Sequence, residues 1–340
     1  MIYSGGVTGV THLLVGNPTA QSGKNQARIE RARHAFSRAG VDCDFLATEP
    51  DGRTIQAVTR ALDGGAYECV VYMGGDGTFR EVASGILDSK RREEVTLGML
   101  PTGTANDQGR SFGLAAGDDA LDRNIEVVLG GYETRLDAGR LEAPNRAPAW
   151  FFDSAGWGIS ARVLRERNIE REVVSKIPIL REVYRDQLVY AGVLLRVFLD
   201  SYVVSDKFDA EIEADGEHVE LTGLTDLIVK GTRVYGGAWV FDRHAPHDDG
   251  RFEVVPFRGK RDWTSKAIVD FDGNPVTEEM LNAVGIEHSR PFSASRIDIR
   301  FRVPTGGAPF AAQIDGEELA ADEHVRIAVH RQALRLVIPS

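Results

Sequence analysis

The feature that most constrains this chain is a change of rhythm at the Gly130-Gly131 pair. Before it, short apolar runs at residues 12–15, 41–46, 69–73 and 96–100 alternate with segments of helical period at 24–39, 53–62 and 78–87. Strand-length runs that alternate with amphipathic helical segments are the pattern of a parallel sheet covered by its crossover helices. Gly40, just past the first helical segment, stands where a C-terminal cap belongs. After Gly131, strand-length runs dominate, at 134–141, 150–154, 208–214, 225–230, 252–256, 296–303, 310–314 and 324–338, the last with an internal turn. Strands at this density, with turn residues between them, predict a sandwich. A helical segment over 180–199 interrupts them, and its broad apolar face, which includes Leu188, Leu194, Leu195 and Phe198, is expected to pack on the sandwich. The expected fold class is α/β, an N-terminal doubly wound α/β domain over residues 1–131 followed by a C-terminal β-sandwich domain over residues 132–340. A chain of 340 residues exceeds what one core usually serves.

Composition narrows the function classes. With 42% hydrophobic and 27% charged residues and no low-complexity tract, most of the chain is expected to fold. A formal net charge of −11 argues against a protein that binds nucleic acid by neutralising its phosphates, and leaves room for a local basic site. The N-terminus has no charged-then-apolar leader pattern, and the densest apolar run, 188–199, is too short to span a bilayer and contains Arg196. Cys43 and Cys69 each lie in an apolar strand-like run and are read as reduced core thiols of a cytoplasmic protein.

Chemistry enters at Gly74-Gly75-Asp76-Gly77-Thr78, directly after the run 69–73 and before a helix. Glycines let backbone approach an anion closely, and the helix that follows aims its first amides at the same place, which builds a seat for phosphate. An aspartate in such a seat repels phosphate unless a cation lies between them, so Asp76 points to a Mg²⁺-bound nucleotide. One strand later, Pro101-Thr102-Gly103-Thr104-Ala105-Asn106-Asp107 repeats the arrangement. Adjacent strands of an open α/β sheet deliver such loops to one crevice. Asp107 adds a second carboxylate for the cation, while Thr104 and Asn106 offer hydrogen bonds to the nucleotide; helix capping by these three residues is compatible with both roles. A third loop, 17–24, has no Walker A glycine spacing but brings Asn17, Ser22, Gly23 and Lys24 to the same edge, and Thr48 at the end of the second strand joins that rim.

These two motifs, with Glu81 after the first, resemble the nucleotide-binding motifs of the diacylglycerol kinase catalytic-domain family, which includes bacterial lipid kinases and the sphingosine and ceramide kinases and is related to NAD kinases. The resemblance implies an ATP-binding α/β domain, a β-sandwich domain, ATP and Mg²⁺ as cofactors, and a lipid alcohol as acceptor. It extends to Gly236-Gly237 and to Ala245-Pro246-His247-Asp248-Asp249-Gly250, which resembles the segment that holds a structural Mg²⁺; carried over, the ligands are the Asp249 side chain and the backbone of Pro246 and Arg251. Gln313-Ile314-Asp315-Gly316-Glu317 resembles the acidic motif in which a carboxylate orients the hydroxyl and takes its proton, so Asp315 or Glu317 is the implied base. Asp215-Gly216-Glu217 repeats the same three letters between two strand-like runs and is read as a hairpin turn. The residues alone do not rank the two copies. One departure is Arg80, where the family usually has Asn; a phosphate contact and a solvated helix position both stay open for it.

The expected reaction is direct transfer of the ATP γ-phosphoryl group to a lipid hydroxyl, with reversible contact at a membrane surface, no nucleic-acid partner, and a cytoplasmic, peripheral location. A kinase for NAD or a sugar phosphate is the nearest alternative, and a catalytically silent nucleotide- or lipid-binding module is the alternative of another class. The sequence does not single out one lipid or one oligomeric state; a homodimer is compatible with it.

Overall fold

The computed structural model describes residues 11–103, 106–162, 207–232, 234–235, 239–240, 246–258, 291–302 and 311–340. The chain forms two compact units: the first takes residues up to Leu136 and returns for Gln332–Ser340, the second is Asp137–Arg331. Against the expected division at 131/132, the last nine residues belong to the first unit.

In the first unit the elements are β1 (Thr11–Gly16), α1 (Lys24–Arg38), β2 (Asp42–Ala47), α2 (Arg53–Gly64), β3 (Tyr67–Gly74), α3 (Asp76–Asp88), β4 (Thr96–Pro101), α4 (Asp107–Ser111) and α5 (Asp118–Gly130). The first four strands are parallel in the order β2-β1-β3-β4. The order reverses between β1 and β3, and that is the switch point outside which open α/β sheets bind ligands. One face of the sheet is covered by α1 and α5 over a core of Leu14, Phe36, Val71, Met73, Leu100 and Ile125. The sequence reading did not place α4 and α5, although Leu121, Ile125 and Val128 give α5 a buried stripe of helical period. Cys43 and Cys69 pair in register with His12 from opposite sides. Two inter-strand spacings of about 4.8 Å put their Cα atoms beyond the ~7 Å that a disulfide spans. Burial pushes the two thiols up to about 11 and about 12, respectively.

The second unit begins within β5 (Tyr132–Ala143) and continues with β6 (Arg146–Phe151), β7 (Ser154–Gly158), β8 (Phe208–Ala214), β9 (Glu217–Leu224), β10 (Asp226–Lys230), β11 (Val234–Tyr235), β12 (Trp239–Val240), β13 (Phe252–Phe257), β14 (Phe292–Ala294), β15 (Arg296–Arg302), β16 (Ala312–Ile314), β17 (Glu317–Leu319) and β18 (His324–Ile338). One sheet runs β14-β13-β10-β7-β16-β17. The other includes β15, β8, β9 and the first part of β18, with β5 pairing β18 and β6. Side chains from both sheets, among them Phe151, Trp157, Phe208, Ile212, Val229, Phe252, Ile299 and Phe301, share one core, which makes this the expected sandwich. Trp157 is fully buried, and its replacement by Ala costs about 3–5 kcal/mol. The apolar run 150–154 divides into β6 and β7 around Phe152 and Asp153. The internal turn expected in 324–338 is a single left-handed residue, Gln332 (φ 52°), inside one long strand. Beyond it, β18 joins β4 in parallel through Arg335↔Thr96 and Leu336↔Leu97. The helical segment 180–199, Gly236-Gly237 and Ala245 lie outside the described residues.

Candidate active site

The glycine loop after β3 and the loop after β4 meet backbone to backbone. Gly74 pairs with Pro101 at the ends of the two strands, and the Gly74 carbonyl accepts hydrogen bonds from the amides of Thr102 (2.7 Å) and Gly103 (3.1 Å). A Cβ on Gly103 would lie 2.4 Å from the Cα of Gly75, so only glycine permits this contact. Asn106 holds the second loop shut: its Oδ1 accepts from the Gly103 amide (2.9 Å) and its Nδ2 donates to the Gly103 carbonyl (2.8 Å). Asn106 itself is left-handed, with φ 55°. Its side chain therefore shapes the loop from within.

Asp76 opens α3 and is held by the start of α4. Its Oδ1 accepts from the Gln108 amide at 3.3 Å. Burial pushes its carboxyl above the ordinary value, against the amide hydrogen bonds from Gln108, Asn106 and Asp107 that pull it down. Asp76 is half-buried and Asp107 is buried. Two carboxylates on touching loops, one half-buried and one buried, fit the needs of Mg²⁺, which binds through one or two carboxylates and keeps its remaining positions for water and phosphate oxygens. Gly77 and Thr78 fall in the first turn of α3, and Glu81 and Arg80 are half-buried further along it.

The loop after β1 is tied to the same place. Asn25 Nδ2 donates to the Asn17 carbonyl (2.8 Å), and Thr102 Oγ1 donates to Asn25 Oδ1 (3.4 Å). Gln21 Nε2 donates to the Thr102 carbonyl, while Gln21 Oε1 accepts from Arg28 Nη1 (2.6 Å). Arg28 is itself clamped by both carboxylate oxygens of Asp118, at 2.6 and 3.0 Å. Ser22 and Gly23 lie in a 3-10 turn, Ala20–Gly23, whose last residue is left-handed (φ 85°) and passes into α1. Lys24 is exposed at the first position of α1, and Thr48 is tied to the end of β1 through its amide and the Gly16 carbonyl (3.1 Å). Thr104 lies outside the described residues.

Sequence reading missed Gln21, Asn25 and Arg28, which bind the loops together. A signal was present: Asn25 and Arg28 share the buried stripe of α1 with Ile29, Ala32 and Phe36, and polar residues on a core-facing stripe need partners. It also missed Gln108, whose buried carboxamide has no hydrogen bond among the described residues.

In the second unit, Asp315 and Gly316 form the two-residue turn between β16 and β17, both left-handed (φ 46° and 78°), the signature of a type I′ hairpin. Asp315 is 5% exposed. Its Oδ1 accepts from the amides of Asp153 (2.8 Å), Ser154 (3.0 Å) and Phe152 (3.2 Å), and its Oδ2 from Phe152 (2.9 Å). Gln313 braces the turn through the Gly316 amide (2.8 Å) and Ser154 Oγ (3.2 Å). Three amides from one neighbouring segment converge on Asp315, whereas Glu317 stands half-buried at the start of β17, opposite Ile314. The copy at Asp215-Gly216-Glu217 is the hairpin between β8 and β9, as read from the sequence.

Pro246, Asp249 and Arg251 lie together before β13. Asp249 Oδ1 accepts from the Arg251 amide (2.9 Å), and Asp137 anchors the loop through the Gly250 amide (2.6 Å) and the His247 carbonyl (2.8 Å). Among the described residues, no group of three or more His, Cys, Asp or Glu side chains is set to hold a metal ion, and no helix is long and apolar enough to cross a membrane.

Residues 11–141 match the diacylglycerol kinase catalytic domain family. A diacylglycerol kinase of Staphylococcus epidermidis is 32% identical over 128 residues, 38% of this chain and 39% of that protein. A diacylglycerol kinase of Staphylococcus aureus is 33% identical over 130 residues, again 38% of this chain and 39% of that one. The matched stretch is thus about two fifths of these relatives' length. The fold likeness is wider: the crystal structure of a diacylglycerol kinase from Bacillus anthracis superposes with a TM-score of 0.66 at 16% identity, covering 97% of each chain.

Proposed function

From the membership of the chain, through residues 11–141, in the diacylglycerol kinase catalytic-domain family, we propose that this protein transfers the γ-phosphoryl group of ATP to the hydroxyl of a lipid. The observation that carries the reading is the contact of Gly74-Gly75 with Gly103, with the carboxylates of half-buried Asp76 and buried Asp107 beside it. Amides of the glycine loop and the first turn of α3 seat the phosphates. Asn106 keeps the second loop in the shape that lets the first approach, and Gln21, Asn25 and Arg28 hold the loop after β1 in register with both. Mg²⁺, when held by Asp76 and Asp107, neutralises phosphate oxygens as charge shifts.

For the acceptor, Glu317 is assigned the proton. The resemblance leaves Asp315 and Glu317 both eligible, and their surroundings favour Glu317. A carboxylate whose oxygens already accept from three backbone amides is committed to the turn and has little room left to accept from a substrate hydroxyl. Asp315 is such a group, and its role is to position the hairpin that carries Glu317. Diacylglycerol, a sphingoid base and related lipid alcohols all present a hydroxyl beside an apolar tail, and reversible contact with a membrane surface goes with any of them; the net charge of −11 offers no general attraction to anionic lipid.

The test is Mg²⁺-dependent transfer of label from [γ-³²P]ATP to a panel of lipid alcohols in detergent micelles, with NAD and sugar phosphates as soluble acceptors. Label on a lipid is the expected result. Label only on a soluble acceptor overturns the lipid assignment, and label nowhere overturns the kinase assignment.

A further inference from the structure

The segment that resembles a structural Mg²⁺ site already contains a cation. A cavity of about 110 Å³ is lined by Pro246, Asp249 and Arg251, and also by Lys230, Glu253 and Ser293. Lys230 ends β10, a strand whose other residues are apolar after Asp226, and its side chain is 1% exposed, where lysine is almost never found unpaired. Its Nζ lies 2.5 Å from Glu253 Oε2 and donates to the Thr232 carbonyl at 3.3 Å. Arg251 brings a second positive charge, held by Asp215 (3.0 Å) and by Ser293 Oγ (3.1 Å) and O (2.5 Å). Of the two carboxylates lining the cavity, Glu253 is thus committed to Lys230, and Asp249 Oδ1 accepts from the Arg251 amide.

A divalent ion here would have to displace a buried ammonium from its carboxylate or sit beside it, and Mg²⁺ in addition demands near-octahedral oxygen ligands and gives up its water reluctantly. The residues therefore do not fit the metal that the resemblance implies. We infer that Lys230 is the resident cation of this pocket, so that the loop around Pro246–Arg251 is ordered by an internal ammonium and not by a divalent ion. The ammonium also terminates a buried polar chain. Ser154, opposite Lys230 in the β7/β10 register, gives its amide to Asp315, and Thr232 Oγ1 bonds the side chain of Asp153, whose amide also goes to Asp315. The cation of the pocket and the brace of the Asp315 hairpin are thus parts of one network, and this holds whether or not the chain is a kinase.

Hydrogen exchange of the full chain, read by mass spectrometry on peptides covering 226–232 and 246–258, tests the assignment and separates this pocket from any Mg²⁺ bound at Asp76 and Asp107. In the wild type, protection of these peptides is expected to be the same in EDTA and in millimolar Mg²⁺. In K230M, exchange of 246–258 in EDTA is expected to rise by at least about tenfold, because Glu253 loses its buried ammonium partner, and Mg²⁺ is expected to restore protection. K230R, which keeps a charge, is expected to stay indifferent to Mg²⁺, and it keeps the test open if K230M does not fold. Mg²⁺-dependent protection in the wild type, or wild-type exchange in K230M, overturns the inference.

Discussion

The second unit contains the same three residues twice, and in both copies the backbone does the same thing. Asp215-Gly216 and Asp315-Gly316 are type I′ turns with paired positive φ values, 51° and 90° in one and 46° and 78° in the other. In each, the aspartate amide donates to a neighbouring carbonyl, that of Arg296 or Ser154, and the aspartate carboxylate accepts amides from the same neighbour: Ser295 and Arg296 for the first, Phe152, Asp153 and Ser154 for the second. The copies part in their setting. Asp215 is exposed, draws on Ser295 Oγ and the Arg251 guanidinium, and leaves Glu217 exposed. Asp315 is enclosed, braced by Gln313, and carries a half-buried Glu317. Asp-Gly-Glu is thus first a hairpin device, and the chemistry proposed for Glu317 rests on what surrounds the glutamate.

The largest separation is expected at the glutamates. Glu317→Gln should lower turnover in the micelle assay by about 10²–10⁴-fold, the range for loss of a general base, with the thermal midpoint unchanged, whereas Glu217→Gln should leave turnover as it is. Equal activity in the two variants would erase the distinction. At the aspartates the effect moves to stability. Asp315→Asn replaces an acceptor of three buried amides and should cost about 3 kcal/mol in urea unfolding, with Asp215→Asn below about 1 kcal/mol.

At the glycines the copies should become alike. Neither Gly216 nor Gly316 has any atom within 4 Å of a would-be Cβ, so Gly→Ala at either place should cost about 1–2 kcal/mol from left-handed strain alone. Unequal costs would mean that the two backbones are not equivalent. The smallest effect is in acid. Burial alone would raise the Asp215 carboxyl, but hydrogen bonds from Ser295 and Arg296 and the Arg251 charge outweigh it and hold the group below its ordinary value. A depressed carboxyl stabilises the fold above its unfolded value and loses that contribution as pH falls through the folded one. The stability gap between wild type and Asp215→Asn should therefore be present at neutral pH and close in acid; a gap that persists there would assign it to packing.

Much of the first unit was legible because its signals are local. The runs at 12–15, 69–73 and 96–100 lie within β1, β3 and β4, and the glycine loops follow directly from the strand ends. What was not legible depends on contacts far apart in sequence: Gln21 reaching Thr102, Arg28 reaching Asp118, and the return of β18 to β4. The proposed preference for Glu317 over Asp315 is of the same kind. It rests on amides some 160 residues away, |i−j| 161 to 163, which no local pattern announces. Lys230 was hidden for a different reason, since a lysine closing an apolar strand reads as the point where the strand meets solvent, and here it faces Glu253 inside.

The return of β18 to β4 bears on synthesis. The outer edge of β4 is completed by Arg335 and Leu336, so on the ribosome the first sheet waits, with a row of unpaired backbone groups on that side, until all of residues 137–331 have been made. The sandwich has the chance to fold while the first sheet still lacks a strand, and a nascent chain stalled anywhere in that interval displays a sticky edge to which a chaperone, or a second nascent chain, can add.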